Sequence, residues 1–448
     1  MHCQTTLKLE GLGLIYYTGS RFWWYGAMSM PKKIQFLMPY LNWGIAVACF
    51  LVQLTIQVSS GLLASQLSVE FELDSFGVAI LMGMVFYPNI LLQIPAGMVT
   101  DRFGARKVLS VGALVCSMGA WGFAHADTLL EACLFRVMMG SGLAFAFVSM
   151  AYLIANWMRR EVFSRMFSIA EMVALSFTVL AMRYLAVALQ NSSWRDFIVK
   201  ISIVALVLSI LSALFVRDKP NYLEDSQSNL TFSDIVKQLK IFVRDRQMWA
   251  NGIYSGLLFC CISCFVSIWG PSFLSNAATM SKEAAANMCT NLTLGLIAGC
   301  PLLSVLLPRI NNIKLVLSLC ALMTSILLSF VVMFPMMDLR LMQVCLLLAG
   351  FFSVAYLVPF TIAHYYVRPG SKSTAIGFTN MLSTIFGPLL SLLIGFLIDT
   401  HRDADLLSGY TLADYQYAMN ILPMSMFLAA LVCFFLPPTH KPGMTDDI

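Results

Sequence analysis

The feature that most limits the fold of this chain is a series of apolar runs, each close to the roughly 20 residues that a helix needs to cross a bilayer. The runs recur along all 448 residues, of which 59% are hydrophobic and only 11% charged. Soluble domains carry about 25% charged residues. The sequence therefore predicts an all-α integral membrane protein, because a membrane β-barrel would show short alternating segments instead.

Twelve of these runs are predicted spans, and a longer polar stretch separates them into two groups of six. The spans cover residues 36–64, 75–98, 107–125, 129–157, 165–189, 197–216, 249–274, 288–307, 314–335, 341–366, 374–398 and 417–437. The predicted domains are a tail (1–35), a first six-helix bundle (36–216), a linker (217–248), a second bundle (249–437) and a tail (438–448). Residues 1–27 fit no span and no signal peptide, and Met30 is an alternative start.

Within the linker, apolar residues recur at helical spacing after Thr231, which is a suitable N-cap. They are Phe232, Ile235, Val236, Leu239 and Val243. We predict a short amphipathic helix along the cytoplasmic face.

Lysine and arginine set the predicted orientation. With the N-terminus inside, the inner segments of the first half carry pairs such as Lys32-Lys33 and Arg159-Arg160, whereas its outer loops hold only Arg195. The second half is less polarised. We expect both termini in the cytoplasm and the chain in a bacterial inner membrane. The net charge of +5 thus reflects topology and does not indicate nucleic-acid binding.

A charged turn between the second and third spans reads Gly97-Met-Val-Thr-Asp101-Arg102-Phe-Gly104-Ala-Arg106-Lys107. It resembles the loop signature Gly-x-x-x-Asp-Arg-x-Gly-x-Arg-Lys of the major facilitator superfamily. The fourth span resembles a second signature of that family, Arg-x-x-x-Gly-x-Gly, in Arg136-Val-Met-Met-Gly140-Ser-Gly142. The resemblance implies twelve transmembrane helices in two pseudo-symmetric six-helix bundles, which move a small solute by alternating access.

The resemblance also implies a role for the turn in gating. In this family the aspartate, here Asp101, faces the start of the eleventh span, near Ser373 to Gly377, where free N–H groups carry partial positive charge. Because that contact exists only when the two halves close on the cytoplasmic side, it favours one of two global states. For Arg106 and Lys107, a purely topological role is an open alternative.

Three ionisable residues lie deep in predicted spans. Arg136 is about 10 Å into the fourth span by helical rise; the resemblance implies proton coupling or binding of an anionic substrate, and snorkelling to the outer surface is the alternative. Glu171 and Arg183 in the fifth span are about 18 Å apart, so they cannot pair. We expect Glu171 to couple transport to protons and Arg183 to bind a substrate carboxylate or phosphate; structural roles are the alternatives.

Uncharged polar residues are candidates for the lining of a central cavity. Gln53 and Gln57 share one helix face, as do Asn89 and Gln93. The full set is Gln53, Gln57, Asn89, Gln93, Asn291, Tyr356, His364 and Asn380. Singly, each is as consistent with a helix-to-helix hydrogen bond.

The two halves also carry traces of an internal repeat. The segment Asp101–Lys107 aligns with Pro308–Lys314, which keeps an arginine and a lysine but lacks the aspartate and the glycine. We therefore expect an asymmetric gate, with the specific contacts in the first loop.

These features predict a secondary transporter with proton-coupled uptake, for which the expected substrate is an organic acid, an amino acid or a dipeptide. A facilitative uniporter and a transporter-like sensor are alternatives. Drug efflux is disfavoured, because the fifth span lacks the glycines and proline of drug–proton antiporters. We find no catalytic arrangement and no metal-binding pattern. The expected partners are a small solute and the lipid bilayer, the expected state is a monomer, and no cofactor beyond the proton gradient is expected.

Overall fold

The computed structural model describes residues 32–159, 162–191, 193–219, 232–278, 280–367, 370–401 and 411–436. Within these ranges the regular structure is entirely helical. The described residues from Pro39 onward group into one compact unit. Most of the two predicted tails, the proposed cap Thr231 and the side chain of Arg183 lie outside the described residues.

Among the described residues, the first half contains seven helices and the linker one. They are α1 (Lys32–Glu70), α2 (Ser75–Leu91), α3 (Gln93–Phe103), α4 (Ala105–Ala124), α5 (Leu129–Trp157), α6 (Phe163–Asn191), α7 (Trp194–Phe215) and α8 (Phe232–Arg244).

The described part of the second half contains nine helices and several irregular segments. They are α9 (Arg246–Cys260), α10 (Gly270–Ala277), α11 (Lys282–Leu306), α12 (Ile313–Met333), α13 (Leu339–Ser353), α14 (Val358–Tyr366), α15 (Lys372–His401), α16 (Leu412–Met419) and α17 (Ile421–Val432). A π-helical segment, Cys261–Trp269, joins α9 to α10, and a 3-10 turn, Val354–Leu357, joins α13 to α14.

The described helices account for the twelve predicted spans. Eleven helical stretches are long and apolar enough to cross a membrane, and α2 with α3, which meet at a bend of 47°, make the twelfth. Helix α5 (Leu129–Trp157), which is the fourth span, has the predicted bounds. Helix α11, which is the eighth span, begins at Lys282 rather than at residue 288. That earlier start follows from Ser281, whose side chain accepts a hydrogen bond from the N–H of Ala284 and caps the helix.

The linker helix is present as α8, and Phe242 marks its buried edge. Phe242 is buried, whereas Val243, which was expected in the apolar stripe, is 47% exposed. Both residues lie on the same apolar face by helical spacing, and the helix packs with its Phe242 edge inward. The described part of α8 contacts α3, α9 and α15.

The two halves meet where α3 packs on α15 and α6 packs on α11. Glycines bring α3 and α15 to backbone contact: a Cβ on Gly97 would lie 2.5 Å from the carbonyl oxygen of Ser373, and one on Gly377 would lie 2.3 Å from that of Gln93. We call the end of the molecule that carries Asp101 the Asp101 end, and the opposite end, where α7 begins, the Trp194 end.

Candidate transport site and gate

Asp101 joins the two halves at the start of α15. One carboxylate oxygen accepts a hydrogen bond from the backbone N–H of Ser373 (3.1 Å), and the other accepts from the N–H (2.8 Å) and the hydroxyl (2.7 Å) of Thr374. The carboxylate thus binds N–H groups that the helix itself leaves unused. We call Asp101, Ser373 and Thr374 the latch; it is the contact that the sequence resemblance implied.

The remainder of the turn holds the first half together. Gly104 separates α3 from α4 with a φ of 83°, in the left-handed region that favours glycine. A Cβ there would also lie 2.4 Å from the carboxyl group of Asp218. Arg106 donates from Nε to the carbonyl of Ala213 near the end of α7 (2.8 Å). Lys107 is exposed, as is Arg102, whose guanidinium lies 5.2 Å from the ring centroid of Phe103.

Asp218 is a contact of this turn that sequence reasoning missed. Its Oδ1 accepts a hydrogen bond from the N–H of Arg106 (2.8 Å), so it caps the start of α4. Burial raises the pKa of this carboxyl group, against the opposing effect of the backbone donor of Arg106. The available signal is an aspartate two residues after the predicted sixth span, within the polar linker.

A second connection between the halves lies deeper in the molecule. The hydroxyl of Tyr356 donates to Oε1 of Glu171 at 2.7 Å. Glu171 is 8% exposed and Tyr356 is 3% exposed. The other oxygen, Oε2, has no hydrogen-bond partner among the described residues. We call this contact the bridge. It unites two residues that the sequence offered separately, as a coupling candidate and as a cavity candidate.

Aromatic side chains continue the contact between the two halves next to the bridge. The ring of Phe163 stacks on His364, with centroids 4.0 Å apart and planes 4° apart. The ring centroid of Phe360 lies 5.3 Å from the ring centroids of both Phe147 and Phe167. We call Phe147, Phe163, Phe167, Phe360 and His364 the plug. His364, predicted to line a cavity, is instead 2% exposed within it.

The plug and the bridge share one register. On α6, Phe163, Phe167 and Glu171 follow at four-residue steps; facing them are His364, Phe360 and Tyr356, in reverse order and at the same steps. Each step is about 6 Å along a helix. The two halves therefore meet in three successive rungs, of which the innermost pairs a carboxyl group with a phenol. This matched spacing was readable in the sequence, but nothing there indicated that the two segments face each other.

Arg136 lies inside the first half, away from the bridge. It is 1% exposed, and its Nη2 donates to the hydroxyl of Ser60 (2.7 Å). Its guanidinium lies 5.0 Å from the ring centroid of Phe123, and its Nε has no hydrogen-bond partner among the described residues. This burial argues against the snorkelling alternative. Within the described ranges, no carboxylate forms a salt bridge with it.

The other cavity candidates occupy different surroundings. The side chain of Gln93 donates to Oδ1 of Asn89 (3.4 Å), and both are buried at the bend between α2 and α3. Gln53 and Asn380 are buried, and Gln57 is half-buried. Asn291 donates to the carbonyl of Met288 in its own helix (2.9 Å), so it makes a local contact. The backbone of Arg183 belongs to α6.

A sequence model of the Major Facilitator Superfamily matches residues 45–391. The chain belongs to the Major Facilitator Superfamily. Its family and fold are therefore those of multi-pass membrane transporters and not those of an enzyme.

A protein with a similar sequence is also described as a transporter. Over 196 residues the chain is 24% identical to the probable sulfoacetate transporter SauU of Cupriavidus necator; the match covers 43% of this chain and 44% of that protein, less than half of each.

Solved structures share the fold. A variant of the Escherichia coli fucose:proton symporter FucP has a TM-score of 0.64 at 15% identity, covering 89% of this chain and 100% of that one. FucP in the outward conformation has a TM-score of 0.66 at 15% identity, covering 90% and 100%. The proton:xylose symporter XylE, bound to 6-bromo-6-deoxy-D-glucose, has 0.64 at 14% identity, covering 89% and 95%.

Proposed function

We propose that this protein imports a small anionic solute, such as an organic acid or a sulfonate, together with protons by alternating access. The observation that carries the proposal is the bridge, in which a buried carboxylate on one half accepts a hydrogen bond from the other half. The protonation state of an acid in this position changes the strength of the contact between the halves.

The distribution of basic residues supports a cytoplasmic location for the Asp101 end. The latch, the plug and the bridge all join the halves between the middle of the molecule and that end. We therefore interpret this conformation as closed toward the cytoplasm. A solute would reach the bridge from the Trp194 end.

The chemistry of the bridge supports proton coupling. A hydrogen bond from tyrosine to an ionised carboxylate is stronger than one to a neutral carboxyl group. Protonation of Glu171 would weaken its bond to Tyr356, and the neighbouring rungs of the plug could then separate. Loss of the proton to the cytoplasm would favour renewed closure. This cycle links each proton to one opening at the Asp101 end.

The buried positive charge of Arg136 supports the proposal that the solute is an anion. Among the described residues this buried guanidinium has no carboxylate partner, so it leaves positive charge in the first half, and such a charge acts strongly in a low-dielectric interior. The relative SauU is described as a probable sulfoacetate transporter, and sulfoacetate is an anion. Amino acids and dipeptides, which carry a carboxylate, are the next class to test.

The test is uptake into proteoliposomes that hold the purified full chain. Sulfoacetate, organic acids, amino acids, dipeptides and sugars would be compared with and without an inwardly directed proton gradient. We expect accumulation of an anion that depends on the gradient. In Glu171→Gln, we expect exchange of internal for external solute to persist while gradient-driven accumulation is lost; Glu283→Gln, an exposed acid on α11, is the control.

Two outcomes would contradict the proposal. Accumulation with unchanged pH dependence in Glu171→Gln would remove Glu171 from coupling. Exchange that persists in the parental protein without any gradient-driven accumulation would identify a facilitative uniporter instead.

A further inference from the structure

Tyr356 lies in a backbone segment that requires outside support. The 3-10 turn Val354–Leu357 interrupts the tenth span between α13 and α14. In such a turn, each carbonyl accepts from the N–H three residues later. For Tyr356 that residue is Pro359, which has no N–H. The carbonyl of the residue that makes the bridge therefore lacks its regular 3-10 partner.

Ser255 of α9 supplies a donor to this carbonyl. Its hydroxyl oxygen lies 2.9 Å from the carbonyl oxygen of Tyr356, to which it donates, and 3.0 Å from the hydroxyl oxygen of Ser383 in α15. Ser255 is 0% exposed and Ser383 is 2% exposed. One serine thus joins three elements away from solvent.

Asn251, one helical turn earlier on α9, makes the same kind of connection. Its Nδ2 donates to the carbonyl of Pro359 (2.9 Å) and lies 3.4 Å from the hydroxyl of Thr379 in α15. Thr379 precedes Ser383 by four residues, as Asn251 precedes Ser255. We call these residues on α9 and α15, with the carbonyls of Tyr356 and Pro359, the polar seam.

The polar seam connects the bridge to the latch. The helix that receives the seam, α15, is the one whose first residues bind Asp101, and Thr379 is only five residues after Thr374. Helix α15 therefore takes part in both the polar seam and the latch. Hydrogen bonds in a buried polar network hold the elements that they join in one arrangement; in this network Oδ1 of Asn251 has no hydrogen-bond partner among the described residues.

We propose that Ser255 and Asn251 are positioning residues, which hold the Tyr356 turn against α15 so that a change at Glu171 reaches the latch. The inference rests on the proposed coupling role of Glu171. Neither residue contacts Glu171 in a hydrogen bond within the described structure; both act through Tyr356 and α15. Their removal is therefore expected to alter coupling without removing the titrating acid.

The test compares Ser255→Ala with Ser325→Ala in the full-length protein. The control is matched, because the hydroxyl of Ser325 also donates to a backbone carbonyl, that of Pro423 (2.7 Å), and Ser325 is 7% exposed. Two quantities are measured: backbone hydrogen exchange of the peptide that covers residues 354–358, and the pH of half-maximal uptake.

For Ser255→Ala we expect exchange in that peptide to increase several-fold and the half-maximal pH to move by about half a unit, because the variant loses one hydrogen bond to the turn that carries Tyr356. Ser325→Ala should leave both unchanged, and Ser255→Thr, which keeps the hydroxyl, should restore the parental values. In a Glu171→Gln background, Ser255→Ala should no longer move the pH profile.

Parental exchange and a parental pH profile in a folded Ser255→Ala protein would overturn the inference. If that variant does not fold, Ser383→Ala removes the hydroxyl of α15 that Ser255 contacts and is judged by the same two measurements. Failure of the proposed function is distinguishable: uptake would then keep its pH dependence in Glu171→Gln, while the exchange measurement still decides whether Ser255 holds the turn.

Discussion

The charged turn Gly97–Lys107 and the segment Pro308–Lys314 occupy equivalent places in the two halves, and these two loops share one contact but not the other. In the first, Arg106 donates to the carbonyl of Ala213 at the end of the sixth span (2.8 Å). In the second, Lys314 donates to the carbonyl of Phe434 at the end of the twelfth (3.4 Å). Each loop thus uses a cation to tie its half together.

The first loop also adds a contact to the other half. Asp101 binds the start of α15, whereas the second loop has Asn312, which caps its own helix by accepting from Leu315. The cation contact holds one bundle together, whereas the acid contact joins the two bundles. A repeat can therefore lose its acid in one copy and keep its fold, and the proposed gate would then depend on the first loop alone.

The largest effect is expected when the acid that distinguishes the two loops, Asp101, is neutralised. In Asp101→Asn we expect transport to fall about 10- to 100-fold, because hydrogen bonds to a charged group are worth about 1.5–3 kcal/mol and about 1.4 kcal/mol is tenfold in an equilibrium. Solute binding should persist. Uptake and ligand-dependent thermal stabilisation measure the two effects. Arg309→Gln in the second loop is the control; full transport by Asp101→Asn would remove the latch from gating.

A second test alters the approach of the helices and keeps the acid. A Cβ at Gly97 would lie 2.5 Å from the carbonyl oxygen of Ser373, and backbone cannot yield as a side chain can. In Gly97→Ala we expect several-fold slower uptake, since α3 must move away from α15. Gly61→Ala is the matched control, because no described atom lies within 4 Å of its added Cβ. Equal rates in both variants would show that close packing at Gly97 is not needed.

The sequence was sufficient for features that depend on local pattern or on a family motif. Apolar run lengths predicted the twelve spans, and the motif placed Asp101 opposite Ser373 and Thr374. The bridge and the plug were not predictable in this way, because no local rule says that Glu171 of α6 faces Tyr356, 185 residues later. Asp218 was missed for a related reason: its partner, the N–H of Arg106, is a backbone group 112 residues away.

A smaller effect separates the two cation contacts. In Arg106→Gln we expect thermal unfolding a few degrees lower, consistent with the loss of about 0.5–1.5 kcal/mol from one hydrogen bond. Lys314→Gln should cost less, because its contact is longer (3.4 Å) and exposed. Differential scanning fluorimetry of both purified variants measures this difference. A larger loss in Lys314→Gln would reverse the assigned order.

The smallest expected effect concerns pH and Asp218. Burial raises the pKa of this carboxyl group in the folded protein above its ordinary value of about 3.9. Between those two pKa values the folded state binds more protons than the unfolded state, so stability falls as pH rises through that window. Asp218→Asn keeps an acceptor for the N–H of Arg106 but cannot ionise. Its melting temperature, relative to the parental protein, should therefore increase from about pH 4 upward, whereas Asp218→Ala should be less stable throughout. A difference between Asp218→Asn and the parental protein that stays constant with pH would show that Asp218 does not titrate in this range, and that its cap on α4 does not depend on protonation.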